Sequence, residues 1–419
     1  MWAMTRTLAA IFFAIALLMT GQGLQTSLLG IRGSIEGFSD SWLGIIMSGF
    51  FLGFLLASIK APSLIRAVGH IRVFAAFASL ASVIILLHTL ITEPIIWFIL
   101  RVATGFAMAS LYIVIESWIN QSSTNETRGQ MLSIYMIIAY ASIAVGQLPL
   151  LILPPEVSNP ASATMFMTVS ILVSFALIPV SLTRAPAPKI EDPESLTMKE
   201  IYAYTPFGVI ACFLTGVGQG CIIGLAAVFG LAMGFSIQEI AILSASPFII
   251  GGILQFPIGS LSDKIDRRLV ASLCAITASA TTIITAIYLT NIDNKLLIAL
   301  FGLFGGLSPI LYSIIVAHTN DIIPQKKMIA ASARLIMIFG TGSASGPMVL
   351  GILMDYYSAP SFLWFIVTVY SIIAFYGFYR LTRRSIAPEE KADYVFLASR
   401  ASTIATGPIL EEASDNNTP

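Results

Sequence analysis

Arg101 and Glu116 bound a stretch that is otherwise free of charge, R-V-A-T-G-F-A-M-A-S-L-Y-I-V-I-E. Arginine offers five N–H donors in a rigid fork and keeps its charge, so it suits a carboxylate, a phosphate or a group of carbonyls. A glutamate in such surroundings either pairs with a base or titrates. Elsewhere in apolar runs stand amides and hydroxyls: Gln22, Gln25, Gln147, Gln219, Thr104, Ser308, Tyr112, Tyr135 and Tyr312. Such groups need hydrogen-bond partners once they leave water. As a set they suit recognition of an uncharged or weakly charged molecule. Bond-breaking chemistry is not indicated. His70, His88 and His318 are scattered, and no HExxH, GxSxG or phosphate-loop pattern occurs. Cys212, Cys221 and Cys274 lie in apolar runs with no pairing framework, as small core residues do. No enzyme, metal site or cofactor is expected.

The elements that must position these groups are apolar. Of 419 residues 57% are hydrophobic and 11% charged, against about 25% charged in a soluble domain. Zero net charge argues against nucleic acid as a partner. A membrane-spanning helix needs about 20 apolar residues, and the chain holds twelve such runs. The first six are Thr7–Gly30, Ser41–Lys60, Ile71–Thr92, Pro94–Ile119, Arg128–Leu153 and Ala161–Thr183. The second six are Thr205–Leu231, Ile237–Gly259, Leu269–Thr290, Lys295–His318, Lys327–Met354 and Ser361–Arg380. The expected class is therefore an all-α membrane protein. Residues 1–183 and 205–382 form two six-helix bundles, joined by a polar, proline-containing linker at 184–204 and followed by a tail at 383–419. Most of the 22 basic residues fall in the loops and tails on the side of the N-terminus. The exceptions are Arg32 and Lys295 in loops on the other side, and Arg101 and Arg334 within runs. By the positive-inside rule both termini are cytosolic.

The two sixes repeat one another. At an offset of 197, Gly21-Gln22-Gly23 aligns with Gly218-Gln219-Gly220, Ile45 with Ile242 and Phe51 with Phe248. At an offset of 200, Gly105, Leu111, Tyr112 and Ile115 align with Gly305, Leu311, Tyr312 and Ile315. Gly146 and Leu150 align there with Gly346 and Leu350. So long a period means duplicated domains rather than a solenoid. In a membrane protein, duplicated halves predict a transporter with its site between them.

The loop after the eighth run reads Gly259-Ser-Leu-Ser-Asp263-Lys264-Ile-Asp266-Arg267-Arg268. It resembles the cytoplasmic loop motif of the major facilitator superfamily, with Asp266 where the family has glycine. The first half has only Pro62, Arg66, Gly69 and Arg72 at the matching places, with Arg66 where the acid should be. The stretch from Arg101 through Gly105 to Ala109 resembles the superfamily's fourth-helix motif, with Thr104 replacing glutamine and Ala107 replacing glycine. The succession Glu116-Ser117, Arg128-Gly129…Tyr135-Met136 and Gly146-Gln147-Leu148 is similar to the YcaD-type branch. The resemblance covers all twelve runs and extends loosely to a bacterial riboflavin importer of the superfamily. It implies a monomeric, multi-pass transporter of the plasma membrane, the inner membrane in a bacterium, working by alternating access.

That fold lines its path with the first, fourth, seventh and tenth spans. The substrate-binding candidates are accordingly Gln22, Gln25, Arg101, Thr104, Tyr112, Gln219, Ser308 and Tyr312, with Tyr135, Tyr140 and Gln147 of the fifth span. Each is equally a candidate for an interhelical hydrogen bond. Arg101 stands about 10 Å below the outer end of its helix, and Glu116 about 22 Å lower. Arg101 either binds an anionic or carbonyl-rich part of the solute or holds helices together. Glu116 is expected to pair with Arg128 and a basic residue of the second loop such as Arg72. Gly259, Asp263, Lys264, Arg267 and Arg268 form the expected latch, with Asp263 paired to a base or a helix end. Arg334 is either a headgroup anchor or a cavity residue. The expected solute is small, organic, hydrogen-bonding, and aromatic or weakly anionic; a vitamin such as riboflavin fits that description. Two alternatives remain open: drug or metabolite efflux by proton antiport, and a non-transporting sensor of transporter fold. The absence of carboxylates from the first and seventh runs counts against the antiporter.

Overall fold

The computed structural model describes residues 2–121, 123, 125–153, 159–160, 162–182, 196–289 and 292–383. Side chains of residues 2–8, 125–129, 325 and 329 lie outside the description. The linker is thus described only from 196 onward, and the tail only at 383.

The helices in chain order are α1 (Trp2–Ile35), α2 (Asp40–Val68), α3 (His70–Leu90), α4 (Pro94–Gln121), α5 (Asn125–Val145) and α6 (Leu148–Ile152). After them come α7 (Thr164–Ser181), α8 (Met198–Tyr204), α9 (Pro206–Ala232), α10 (Ile237–Lys264) and α11 (Arg267–Ile287). The last three are α12 (Asn294–Asn320), α13 (Met328–Tyr357) and α14 (Ser361–Leu381). Among the described residues, twelve spans are long and apolar enough to cross a membrane, α5 and α6 together making the fifth. The fifth run was expected to be unbroken. It breaks at Gly146 and Gln147 because Pro149 starts a new short helix there and Gly146 packs directly on the backbone of Thr20 and Leu24.

Turn chemistry repeats with the halves. Gly37-Phe38-Ser39 after α1 and Gly234-Phe235-Ser236 after α9 are the same tripeptide. Both glycines take φ +79°, a backbone conformation that side chains resist. Phe38 N–H donates to Gly33 C=O and Phe235 N–H to Gly230 C=O, closing each helix with a Schellman turn. Each serine then caps the next helix, accepting from Trp42 N–H or Glu239 N–H.

Glycine seams hold each half. A Cβ on Gly23 would overlap the Ile143 carbonyl, and one on Gly220 the Ser343 carbonyl. Gly105 lies against the Phe50 carbonyl in the α2–α4 seam. Small residues let helix backbones approach where the lipid supplies no hydrophobic drive. Serine pairs add a second repeated device: Ser82 meets Ser174 at 2.8 Å between α3 and α7, and Ser279 meets Ser371 at 2.7 Å between α11 and α14. Outside the seams, large apolar side chains such as Phe13 (59%), Val83 (54%) and Phe375 (70%) are exposed, as a lipid-facing surface requires.

The first six spans meet the last six along α1–α9, α2–α13 and α5/α6–α10. Odd-numbered spans start on the face that carries the N-terminus, called here the terminal face, and end on the far face. At the far face the halves interlock. Gly44 of α2 faces the Pro347 carbonyl and Gly351 with no room for a Cβ. Ser41 Oγ donates to Asp355 Oδ2 at 2.7 Å across the same seam. A Cβ on Gly30 would stand 3.2 Å from Val228 and 3.5 Å from Ala227. The far face is shut.

Candidate functional site

Among the described residues, a larger chamber lies between α5 and α10 and a smaller one beside it among α1, α5, α9 and α10, where the halves part below that seam. The larger has a volume of about 750 Å³, within the range of small-molecule sites. Its α5 wall runs from Ala144 through Tyr140 and Ile137 to Ser133, and its α10 wall from Phe248 through Gly252, Gln255 and Phe256 to Ser260 and Asp263. Each wall therefore descends toward the terminal face. Ile137 (65%), Ile253 (69%) and Phe256 (80%) line the chamber and are exposed, so it is also open along its side. At its top Tyr140 and Phe248 meet edge-on, ring centroids 6.0 Å apart. Polar groups are few and braced: Gln255 Nε2 donates to Ser313 Oγ of α12 at 3.1 Å. Gly252 leaves open space, with nothing within 4 Å of an added Cβ.

The smaller chamber, about 20 Å³, has Phe248 in its wall too. Gln22, Gly23, Thr26 and Ser27 of α1, Ile143 and Gln147 near the α5–α6 break, Ile222, Ile223 and Ala226 of α9, and Ser244 and Pro247 of α10 complete it. Gln147 Nε2 donates to Gly23 C=O at 2.8 Å, and Gln22 Nε2 to Thr26 Oγ1 at 3.1 Å.

The structure thus brings Gln22 and Gln147 together in the smaller chamber and sets Tyr140 and the latch residue Asp263 in the walls of the larger, while the other expected substrate-binding residues line neither. Arg101 is buried in the α2–α4 seam, its guanidinium carbon 4.8 Å above the Phe50 ring. That stacking contributes as a desolvated cation–π contact. Thr104 gives its hydroxyl to Leu100 C=O of its own helix. Tyr112 packs near Phe54, and Tyr312 lies edge-on to Phe339 with centroids 4.8 Å apart. Gln25, Gln219 and Ser308 are buried in their helices. Tyr135 donates its hydroxyl to Glu116 Oε1 at 2.9 Å, so those two residues serve each other. The Glu116–Arg128 pairing falls on a side chain outside the described residues, and Arg72 is exposed at the start of α3. Arg334 Nε donates to Leu196 C=O at 2.6 Å, tying the linker to α13.

The latch motif ties the ends of the eighth, ninth, tenth and twelfth spans together. Arg267 meets Asp263 at 3.1 Å and Asp321, at the end of α12, at 2.8 Å. Arg268 holds both oxygens of Asp266 and donates to Arg380 C=O at the end of α14. Asp266 also accepts from Arg268 N–H and so caps α11. Burial pulls the Asp266 carboxyl upward, but hydrogen bonds from the Arg268 side chain and backbone, with its charge, outweigh that and hold it below its usual range. The departure from glycine is a second tie. Lys264 is exposed and Gly259 is buried.

Tyr140 and Asp263 apart, the walls of the larger chamber are not legible in the sequence. Ile137, Ile253 and Phe256 are exposed apolar residues on apolar helices, and lipid-facing residues have the same signature. The Gly-Phe-Ser repeat was a readable signal at the same offset of 197 that aligns the glutamines.

The profile described as Major Facilitator Superfamily matches residues 11–236 and again 208–410. Among curated proteins, the MFS-type transporter YcaD of Escherichia fergusonii is 25% identical over 362 residues, covering 84% of this chain and 90% of that one. YfkF of Bacillus subtilis is 24% identical over 373 residues, covering 86% and 93%. Among solved structures, the nucleoside transporter NupG aligns with a TM-score of 0.69 at 13% identity, over 92% of this chain and all of that one (100%). A bacterial homologue of the lysosomal transporter Spinster, inward-facing and occupied, aligns with a TM-score of 0.72 at 16% identity, over 92% and 97%.

Proposed function

The chain belongs to the Major Facilitator Superfamily, and on that premise we propose that it moves a flat, hydrogen-bonding organic solute across a bacterial inner membrane by alternating access. The observation that carries this reading is the pairing of a shut far-face seam with a 750 Å³ chamber walled by both halves below it. The terminal face is the cytosolic one, because the loops and tails there hold most of the lysines and arginines. The conformation is then cytosol-facing, with the solute site between α5 and α10. Phe248, Phe256 and Tyr140 offer aromatic walls, and Gln255 and Ser133 offer hydrogen bonds. The moving bodies are residues 1–183 and 205–382, with 184–204 as the cytosolic linker and 383–419 as the cytosolic tail, and the transporter works as a monomer.

A thermal-shift screen of purified protein against aromatic metabolites and vitamins, riboflavin included, tests this. A solute at about a hundred times its Kd should add roughly 2.7 kcal/mol to stability. The reading expects a hit whose shift vanishes in Gly252→Trp, which projects an indole into the chamber. A hit whose shift survives that substitution places the site elsewhere.

A further inference from the structure

We propose that the smaller chamber is a binding site for one water molecule, which bridges the two halves and fastens the outward gate. The proposal rests on the outward seam being shut. Among the described residues, three buried polar atoms in the chamber's lining residues have no hydrogen-bond partner: Gln22 Oε1, Gln147 Oε1 and Ser244 Oγ. The first two residues belong to the first half and the third to the second. Both amides are oriented by their other ends. Gln22 Nε2 is engaged by Thr26 Oγ1 and Gln147 Nε2 by the Gly23 carbonyl, so the oxygens are what each amide has left. Two acceptors and one hydroxyl match a water that donates twice and accepts once. The volume, about 20 Å³, admits a single water and nothing larger.

A metal cation suits the site less well. The lining contains no carboxylate, and a cation taken out of water needs charge compensation. When the halves part, Gln147 stays with α1 through Gly23 while Ser244 leaves with α10. The bridge therefore exists only while the outward face is shut, and it biases the equilibrium toward that state.

The test uses the full chain in lipid nanodiscs with Ala227→Cys as reporter, beside Gly30 in the outward seam. Its labelling rate by a membrane-impermeant maleimide reports opening, and Cys212, Cys221 and Cys274 are buried. Ser244→Ala and Gln22→Leu should each raise the rate roughly three- to ten-fold, the equivalent of one hydrogen bond. The double variant should label no faster than the faster single one, since both lose the same water. Ser244→Thr, which keeps the hydroxyl, should label as the parent does. Unchanged rates in both single variants at unchanged melting temperature, or effects that multiply in the double variant, would overturn the proposal. So would a rate that responds to sodium over potassium and loses the response in Ser244→Ala, which would assign a cation. A parent that labels as fast as a fully exposed cysteine would refute the shut seam itself, before any variant is compared.

Discussion

Gly44→Ala should open the outward face. A Cβ at this position has nowhere to go: it would overlap the Pro347 carbonyl and stand 3.0 Å from the Gly351 Cα, both on the opposite half. Backbone atoms cannot swing aside, so α2 and α13 must separate. Overpacking of this kind costs about 1–3 kcal/mol. Because the clash exists only while the seam is shut, the whole cost weighs on that one state. The outward-open population should rise roughly 5- to 150-fold. Gly105→Ala is the control. Its added Cβ would overlap the Phe50 carbonyl within the first half, a packing that both states share. It should lower the melting temperature and leave the conformational balance alone. The assay is maleimide labelling of Ala227→Cys from outside, with melting temperature measured on the same samples. Gly44→Ala that melts as the parent does and labels no faster would refute the claim that this seam is the outward gate. Equal labelling changes in both glycine variants would show that the two seams do not differ in role.

Two further outcomes follow from the packing. Asp266→Ala removes the cap of α11 and the two-pronged partner of Arg268, and should cost about 1–2 kcal/mol in thermal or denaturant unfolding. Because the folded carboxyl is held below its usual range, its contribution is present at neutral pH and is lost as the pH falls through the folded value; Asp266→Asn should melt with a shallower acid dependence than the parent. Ser82→Ala and Ser279→Ala each break a serine pair between helices, at about 1 kcal/mol apiece, and since the pairs lie in different halves the double variant should show the sum.

The architecture was legible because its devices are chemical necessities. Gly23 and Gly220 recur at the same offset because each must let a neighbouring carbonyl approach, and no other residue can. Span length and basic loops gave the twelve helices by the same kind of constraint. The site was less legible. Gln22 and Gln147 stand out in the sequence as polar groups in apolar runs, and both line the smaller chamber. Arg101 and Tyr112 carry the same signature but pack against Phe50 and Phe54, since a polar side chain in an apolar run looks alike whether it faces a cavity or a neighbouring helix. The large chamber is walled mainly by isoleucine, phenylalanine and small residues, and composition cannot tell a wall between two halves from a wall facing lipid. Which pairs of helices part is set by the packing of the two halves on each other, and that information is spread over many residues.

The central claim is that a solute crosses through the chamber between α5 and α10. It is tested most directly by counterflow of a thermal-shift hit into proteoliposomes, comparing the parent with Gly252→Trp. Gly252 lines the chamber with nothing within 4 Å of its would-be Cβ, so a tryptophan side chain there starts in open space and obstructs the path. The account predicts abolished counterflow at an unchanged melting temperature. Counterflow at the parental rate in a folded Gly252→Trp protein would contradict it.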